Sequence, residues 1–334
     1  MIRTLVTGGS GFIGQHLVSE LLAHGRQVRV LDVRLPTRPA PAVEYVEGSV
    51  LNDGLVQEAL AGINEVYHLA GHPGMWKRDH AEFYAVNFKG TEKVLALAQK
   101  RGVARFLHCS TESILFRKSK PGQNAAEDAQ LFPDEMPGPY TRSKMLADRL
   151  ALQAAASGFP VVVGCPTMPI GLHDHNHTPP TAMLRHFLGG GRLQIYLDFI
   201  VNLVDVRDVA LGLILAMEKG RVGNRYVLGG DSIPLGQVLA LMAAISGRRK
   251  LFLPIPGRLA ELAASVIEFR ADYLTRRAPA ATVEGVRIAR RASALSIGKA
   301  RRELGYAPRP IEPVLQETIA RMMGAPVSEV LKHA

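Results

Sequence analysis

The 334-residue sequence predicts a doubly wound α/β fold, a parallel sheet covered by helices on both faces, followed by a smaller, mostly helical C-terminal lobe. Three observations carry that expectation. Short β-rich runs alternate with stretches of helical periodicity through the first half of the chain. A glycine-rich turn joins the first β-rich run to the first helical stretch. After Thr167 the alternation stops, and from Ile233 onward the pattern is mostly helical.

Taken in order, RTLVTG, QVRVLD, VEYVEG, EVYHLAG, RFLHCS and PVVVGCP are the strand candidates. Between them apolar residues recur at helical spacing, as at Ile13, Leu17, Leu21 and Leu22. Strands separated by helices need crossover connections and so lie parallel, which places a ligand off their carboxyl ends. A loop rich in Pro, His and Gly runs from Met168 to Pro180, and Thr181 to Leu188 reads as helix. The run from Leu203 to Lys219 reads as one more strand and helix of the first unit. The expected division is therefore interleaved: residues 1–171 with 200–220 form the nucleotide-binding type of domain, and 172–199 with 221–330 form a lobe that closes over a substrate.

Composition bounds the function. Apolar residues make up 47% of the chain and charged ones 21%, enough for a large core. MIRTLVTG reads as a strand and a glycine turn rather than a secretory leader, and no apolar run approaches the roughly 20 residues of a membrane span. Cys109 and Cys165 sit in apolar strand-like runs, as buried thiols do, so a reducing cytoplasm is expected. The net charge of +10 is concentrated late, at Arg270, Arg276, Arg277, Arg287, Arg290, Arg291, Lys299, Arg301, Arg302 and Arg309. Solvated helix faces are the plain reading of these, with attraction to an anionic substrate or an acidic membrane surface as the alternative. They lack the interleaved aromatics of nucleic-acid platforms, so no nucleic-acid partner is expected. Pro256 to Leu274 is an apolar-faced helix followed by arginines. A core helix of the lobe is the default for it, and a helix resting on a membrane or roofing a greasy pocket the alternative.

TGGSGFIG, from Thr7 to Gly14, follows a strand and opens a helix, the setting of a phosphate-binding Rossmann turn. Gly8 allows the tight turn, Gly11 lets backbone approach a pyrophosphate, and Gly14 lets helix and strand pack closely; Phe12 and Ile13 lie in the same contact zone. Asp32 ends the second strand where an acid binds the adenosine ribose hydroxyls. Its carboxylate favours NAD over NADP, although Arg34 would accept a 2′-phosphate.

PYTRSK sets Tyr140 and Lys144 at i and i+4, on one face of a helix that starts at the turn Pro137, Gly138, Pro139. A neighbouring ammonium favours a phenolate, so Lys144 is expected to lower the pKa of Tyr140 and make it a usable acid or base. HCSTES ends the fifth strand, whose carboxyl end points at the cofactor cleft. Thr111 is the candidate to hold a substrate oxygen beside Tyr140, with adjacent Ser110 in competition because neighbouring strand residues face opposite ways.

In TGGSGFIG, HLAG, VNFKGT, HCST, YTRSK and KARRELGYAP the chain resembles the extended short-chain dehydrogenases/reductases of the NAD-dependent epimerase/dehydratase superfamily, over nearly its whole length. Through MWKRDHAEFYAVNFKGT, PTMPIG and YVLGG it is most similar to hopanoid-associated sugar epimerases and to dihydroflavonol-reductase and 3β-hydroxysteroid-dehydrogenase-like enzymes. The resemblance implies a catalytic triad of Thr111, Tyr140 and Lys144 with Asn87 in support, Pro166 to Ile170 (Met168 among them) along the nicotinamide, and Leu69, Ala70 and Gly71 beneath the adenosine side. It also implies a homodimer through the helices Ala81 to Lys100 and Tyr140 to Ala156.

Departures from the family pattern bear on substrate. Ser49 stands where many relatives read the adenine with an aspartate. Val201 matches the position at which sugar-nucleotide enzymes carry a diphosphate-binding arginine, and loss of a cationic clamp disfavours a nucleotide sugar. The dehydratases' Thr-Asp-Glu is here Thr111, Glu112, Ser113, with one acid missing. His173, His175 and His177 alternate in the loop after the sixth strand, but they are read as substrate-loop residues rather than metal ligands. His108 and Cys109 are read as residues packed under the site. The expected activity is hydride exchange between NAD(P) and a secondary alcohol or ketone of a hydrophobic small molecule of steroid, isoprenoid or polyphenol type. A sugar epimerase or dehydratase using the same triad is the alternative, and a dinucleotide-sensing scaffold without chemistry is disfavoured because Tyr140 and Lys144 are both present.

Overall fold

The computed structural model of the protein describes residues 2–116, 127, 132–175 and 177–324. The six β-rich runs form β1 (Arg3–Thr7), β2 (Gln27–Asp32), β3 (Val43–Glu47), β4 (Glu65–His68), β5 (Arg105–Cys109) and β6 (Val161–Pro166). Among them lie α1 (Phe12–Ala23), α2 (Asp53–Ala59), α3 (Ala81–Phe83), α4 (Thr91–Lys100) and α5 (Pro139–Ala156). A π-helical stretch, Tyr84–Gly90, runs α3 into α4. The local causes are visible: the Asn52 side chain accepts from the Gly54 and Leu55 amides to start α2, and a proline in the first turn opens α5.

Beyond Thr167 follow β7 (Met168–Ile170), α6 (Pro179–Gly189), β8 (Leu193–Tyr196), β9 (Ile200–Asp205), α7 (Val206–Lys219), β10 (Arg225–Leu228), β11 (Ser232–Pro234), α8 (Leu235–Ser246) and β12 (Leu251–Pro254). The chain continues through α9 (Gly257–Arg270), α10 (Val283–Arg291), α11 (Gly298–Leu304) and α12 (Ile311–Met323).

The large sheet has seven parallel strands in the order β10-β6-β5-β4-β1-β2-β3. Its central strands are covered on both faces, which is why Val161, Val162 and Val163 are all buried and the run reads as continuously apolar. β1 lies between β2 and β4, so the strand order reverses there and a crevice opens at their carboxyl ends.

Two differences from the sequence reading concern where strands go. The strand expected at Leu203 is β9, and it joins a separate three-stranded sheet with β7 and β11, although its helix α7 packs Val209 and Leu213 into the main core. Arg225–Leu228, allotted to the lobe, is instead the seventh strand of the large sheet, pairing with β6. A strand-helix pattern does not say which sheet the strand enters. A second apolar cluster, including Leu184, Val201, Leu203, Leu239 and Leu315, forms the core of the lobe, which also contains the two-stranded sheet β8–β12. Residues 325–330 of the expected lobe lie outside the described residues.

α9 is not the core helix that its pattern suggests by default. It buries Ala260 and Ala264, small residues that allow close approach to α10, and turns its large apolar side chains to solvent.

A buried ion pair ties the edge strand β10 to α5: Arg225 donates to Asp148 Oδ2 from Nε at 2.9 Å and Nη2 at 2.5 Å, with the Asp148 side chain fully enclosed. Removing one partner of such a pair strands the other charge. Arg225→Ala should therefore cost about 3–5 kcal/mol in urea unfolding, whereas Arg225→Met combined with Asp148→Leu should recover most of that loss.

Candidate active site

The glycine turn sits in the crevice between β1, β2 and β4. Gly8 has φ 73°, and a Cβ there would lie 2.7 Å from the Ala70 nitrogen. A Cβ on Gly14 would run into the Gly8 carbonyl. Leu69 and Ala70 cross beside this turn, the Leu69 amide donating to the Thr7 carbonyl at 3.0 Å and the Ala70 amide to the Thr7 hydroxyl at 3.3 Å. Asp32 presents its carboxylate at the turn, accepting from the Ser10 amide at 3.0 Å and from the Arg34 amide at 3.3 Å. Phe12 is buried and meets His16 edge-on, while Ile13 packs against the main core. These residues fit a dinucleotide: a side-chain-free turn at a helix N-terminus, with an acid at the end of β2. The loop carrying His173 closes over α1, whose Gln15 amide donates to the His173 carbonyl at 2.7 Å.

Tyr140 stands in the first turn of α5 and is 8% exposed. Thr111 lies close enough to act on the Tyr140 phenol, and its hydroxyl exchanges a hydrogen bond of 3.0 Å with Ser113 Oγ. Ser110 is also buried, and its hydroxyl meets no partner among the described residues. Burial raises the Tyr140 pKa, with the nearby Thr111 hydroxyl acting against it. The expected lowering by Lys144 does not occur here. Lys144 Nζ donates instead to the Cys109 carbonyl at 2.8 Å, and burial lowers its own pKa.

Asn87 reaches the site from the π-helical stretch. Its Oδ1 accepts from the His72 amide at 2.7 Å and its Nδ2 donates to Ser143 Oγ at 3.0 Å. Ser143 in turn donates to the Tyr140 carbonyl at 2.7 Å. A Cβ on Gly71 would press on Asn87 Oδ1 at 2.9 Å, so the expected Leu69–Gly71 segment and Asn87 meet. Pro166 ends β6 and Met168 begins β7, but Ile170 at the far end of that segment is buried in the lobe core. Ser49 uses its hydroxyl locally, accepting from the Leu51 amide at 3.2 Å.

One site residue is invisible to sequence reasoning. Glu284, on α10, is 4% exposed and accepts from the Tyr140 amide at 3.1 Å, the Thr141 amide at 2.7 Å and the Thr141 hydroxyl at 2.6 Å. It caps α5, the helix of Tyr140, from 144 residues away. Gly138 is required beside it, because any side chain there would collide with the Glu284 carboxylate. Glu112, after Thr111, is a buried carboxyl whose pKa burial raises well above the ordinary range.

Beneath the site His68 and His108 stack at 5.9 Å. His68 bridges Thr7 at 2.7 Å and Thr91 at 2.9 Å, and burial with nearby Lys144 lowers its pKa to about 3. Neither ring nitrogen of His108 meets a partner among the described residues, and burial holds it neutral too. His173 and His175 meet at a tilt, ring centres 6.1 Å apart, in the loop above, while Asp174 accepts from the Thr178 amide and hydroxyl. Among the described residues no three His, Cys, Asp or Glu side chains converge as metal ligands.

With this geometry in place the comparisons decide the family. Residues 4–229 match the NAD dependent epimerase/dehydratase family. The chain belongs to that family. It is 34% identical over 326 residues to a putative dihydroflavonol 4-reductase of Synechocystis, covering 94% of this chain and 92% of that protein. It is 28% identical to sterol demethylase protein B of Methylococcus capsulatus, covering 96% and 98%. The crystal structure of gox2253 superposes with a TM-score of 0.81 at 28% identity, covering 97% of this chain and 98% of that one. The protein is thus an extended short-chain dehydrogenase/reductase whose cofactor is NAD.

Two outcomes follow from the buried groups. An unfolded chain takes up protons near pH 6.5 that His68 and His108 refuse until far lower, so their contribution is present above about pH 6.5 and is lost as pH falls. Urea unfolding should show stability falling by up to about 1.4 kcal/mol per pH unit per ring below that value, and His108→Leu should flatten the slope without loss at neutral pH. Glu284→Ala should cost about 1–2 kcal/mol of stability as a lost helix cap and lower kcat more than it raises KM, as steady-state kinetics would show.

Proposed function

We propose that this protein exchanges hydride between NAD and a secondary alcohol or ketone of a hydrophobic small molecule, of sterol, isoprenoid or polyphenol type. The observation that carries the reading is the burial of Val201. The position that would hold a diphosphate-binding arginine is fully enclosed in the lobe core and pairs with Ile233 across β9 and β11. The likeness to a putative dihydroflavonol 4-reductase and to sterol demethylase protein B supports the same class.

Bound NAD supplies or accepts the hydride; this chain's residues handle the proton and the oxygen. In the reducing direction Tyr140 gives its phenolic proton to the carbinol oxygen as negative charge develops there. A phenol whose ionisation is suppressed by burial keeps that proton until an alkoxide demands it. Thr111, close enough to act on the phenol, holds the same oxygen, and Lys144 lies one turn further along the face. Asn87 and Glu284 fix the turn that carries the phenol.

A second reading, a sugar epimerase or dehydratase, is favoured by Glu112 alone, a neutral buried acid close enough to influence Tyr140. Assay of purified protein with NADH, NADPH, a panel of hydrophobic ketones and a UDP-sugar separates the two. NADH oxidation by a ketone supports the first reading; turnover of the UDP-sugar without net loss of 340 nm absorbance establishes the second. Tyr140→Phe should lower kcat by about 10²–10⁴-fold while leaving NADH affinity nearly unchanged in a fluorescence titration.

A further inference from the structure

We propose that the outward face of α9 docks this protein on a membrane surface containing anionic lipid. Leu259, Leu262, Val266, Phe269 and Tyr273 recur at helical spacing along α9 and the π-helical turn Ala271–Thr275 that extends it. Leu262 is 64%, Phe269 59% and Tyr273 70% exposed, so the stripe faces solvent rather than core. A contiguous apolar face of this kind on a soluble surface marks an interaction site.

Its charge selects the occupant. Arg258, Arg270, Arg276 and Arg277 are exposed along the helix and just after it. Every acid of the segment is engaged elsewhere: Glu261 pairs with Arg287 and Arg290, Glu268 accepts from the Val283 amide, and Asp272 accepts from the Trp76 indole. The face therefore combines large apolar side chains with cations alone. A second copy of the chain meeting it across a twofold axis would set arginine against arginine with no carboxylate between. Lipid phosphates offer the complementary charge while acyl chains take the apolar stripe.

The placement connects to the site. α10 packs along α9 and carries Glu284 to the Tyr140 amide. Trp76, in the loop after β4, holds the end of the same helix through Asp272. A docked α9 would set the catalytic tyrosine one helix away from the bilayer. The docking does not depend on the substrate reading above, because vesicle binding and ketone turnover are measured separately.

The test is flotation of the full-length protein with vesicles of phosphatidylcholine alone and of phosphatidylcholine with phosphatidylglycerol. Partition should occur on the anionic vesicles and fall with added salt. Arg270→Gln and Arg277→Gln should each weaken it about fivefold, and Leu262→Ser with Phe269→Ser should abolish it. Unchanged NADH binding and thermal melting of these variants would show that the fold is intact. No partition of the wild type, equal partition on both vesicle types, or a dimer that the double serine variant converts to monomer without any vesicle binding would overturn the proposal.

Discussion

The first turn of α5 is the point on which the site depends. Its backbone is gripped from two directions: the Glu284 carboxylate takes the amides of Tyr140 and Thr141, and the Ser143 hydroxyl, itself partnered by Asn87, takes the Tyr140 carbonyl. All of these groups are buried, and a buried polar group left without its partner costs more than the bond itself contributes. The loop after β4, the π-helical stretch and α10 are thereby committed to one arrangement. Because α10 comes from the C-terminal part of the chain, the phenol is not in place until that part has folded against the sheet domain.

Burial then sets the protonation states around that turn. It acts first on each group: His68 and His108 are held neutral, the Glu112 carboxyl is held protonated, and the Tyr140 phenol is held back from ionising. Lys144 is drawn to the Cys109 carbonyl rather than to the phenol. Burial thus biases the phenol, the imidazoles, the carboxyl and the Lys144 amine alike towards their neutral forms, which keeps unpaired charge out of the interior, where it is least tolerated.

What the sequence reveals follows the range of the interactions. The glycine turn, Asp32 at the end of β2 and the Tyr140–Lys144 pair are local patterns, set within one strand-turn-helix or one helical turn, and the structure has that strand, turn and helix. Glu284 meets Tyr140 across most of the chain, and no spacing rule links them. β9 has the pattern of a sheet strand leading into a helix, yet it joins the lobe's sheet because its partners are β7 and β11. α9 makes the same point from the other side: periodicity shows that an apolar face exists, whereas only packing shows that α10 meets its alanines and leaves its leucines outside. The choice between Ser110 and Thr111 likewise needs the direction of a side chain, which alternation alone leaves open.

The substrate argument turns on cations as much as on apolar surface. Val201 cannot be exchanged for a charged residue without placing that charge in the lobe core. Where β9 meets α7, two arginines are paired with carboxylates: Arg207 is held by Asp205 and Glu317, and Arg309 by Asp205 and Asp208. Asp205 is enclosed, and although burial pushes its pKa up, the hydrogen bonds and charge of Arg207 and the charge of Arg309 bring it below the ordinary carboxylate range. To release either arginine to a diphosphate would leave that carboxylate short of countercharge. The network that braces α7 against α12 therefore depends on both arginines staying paired with these carboxylates.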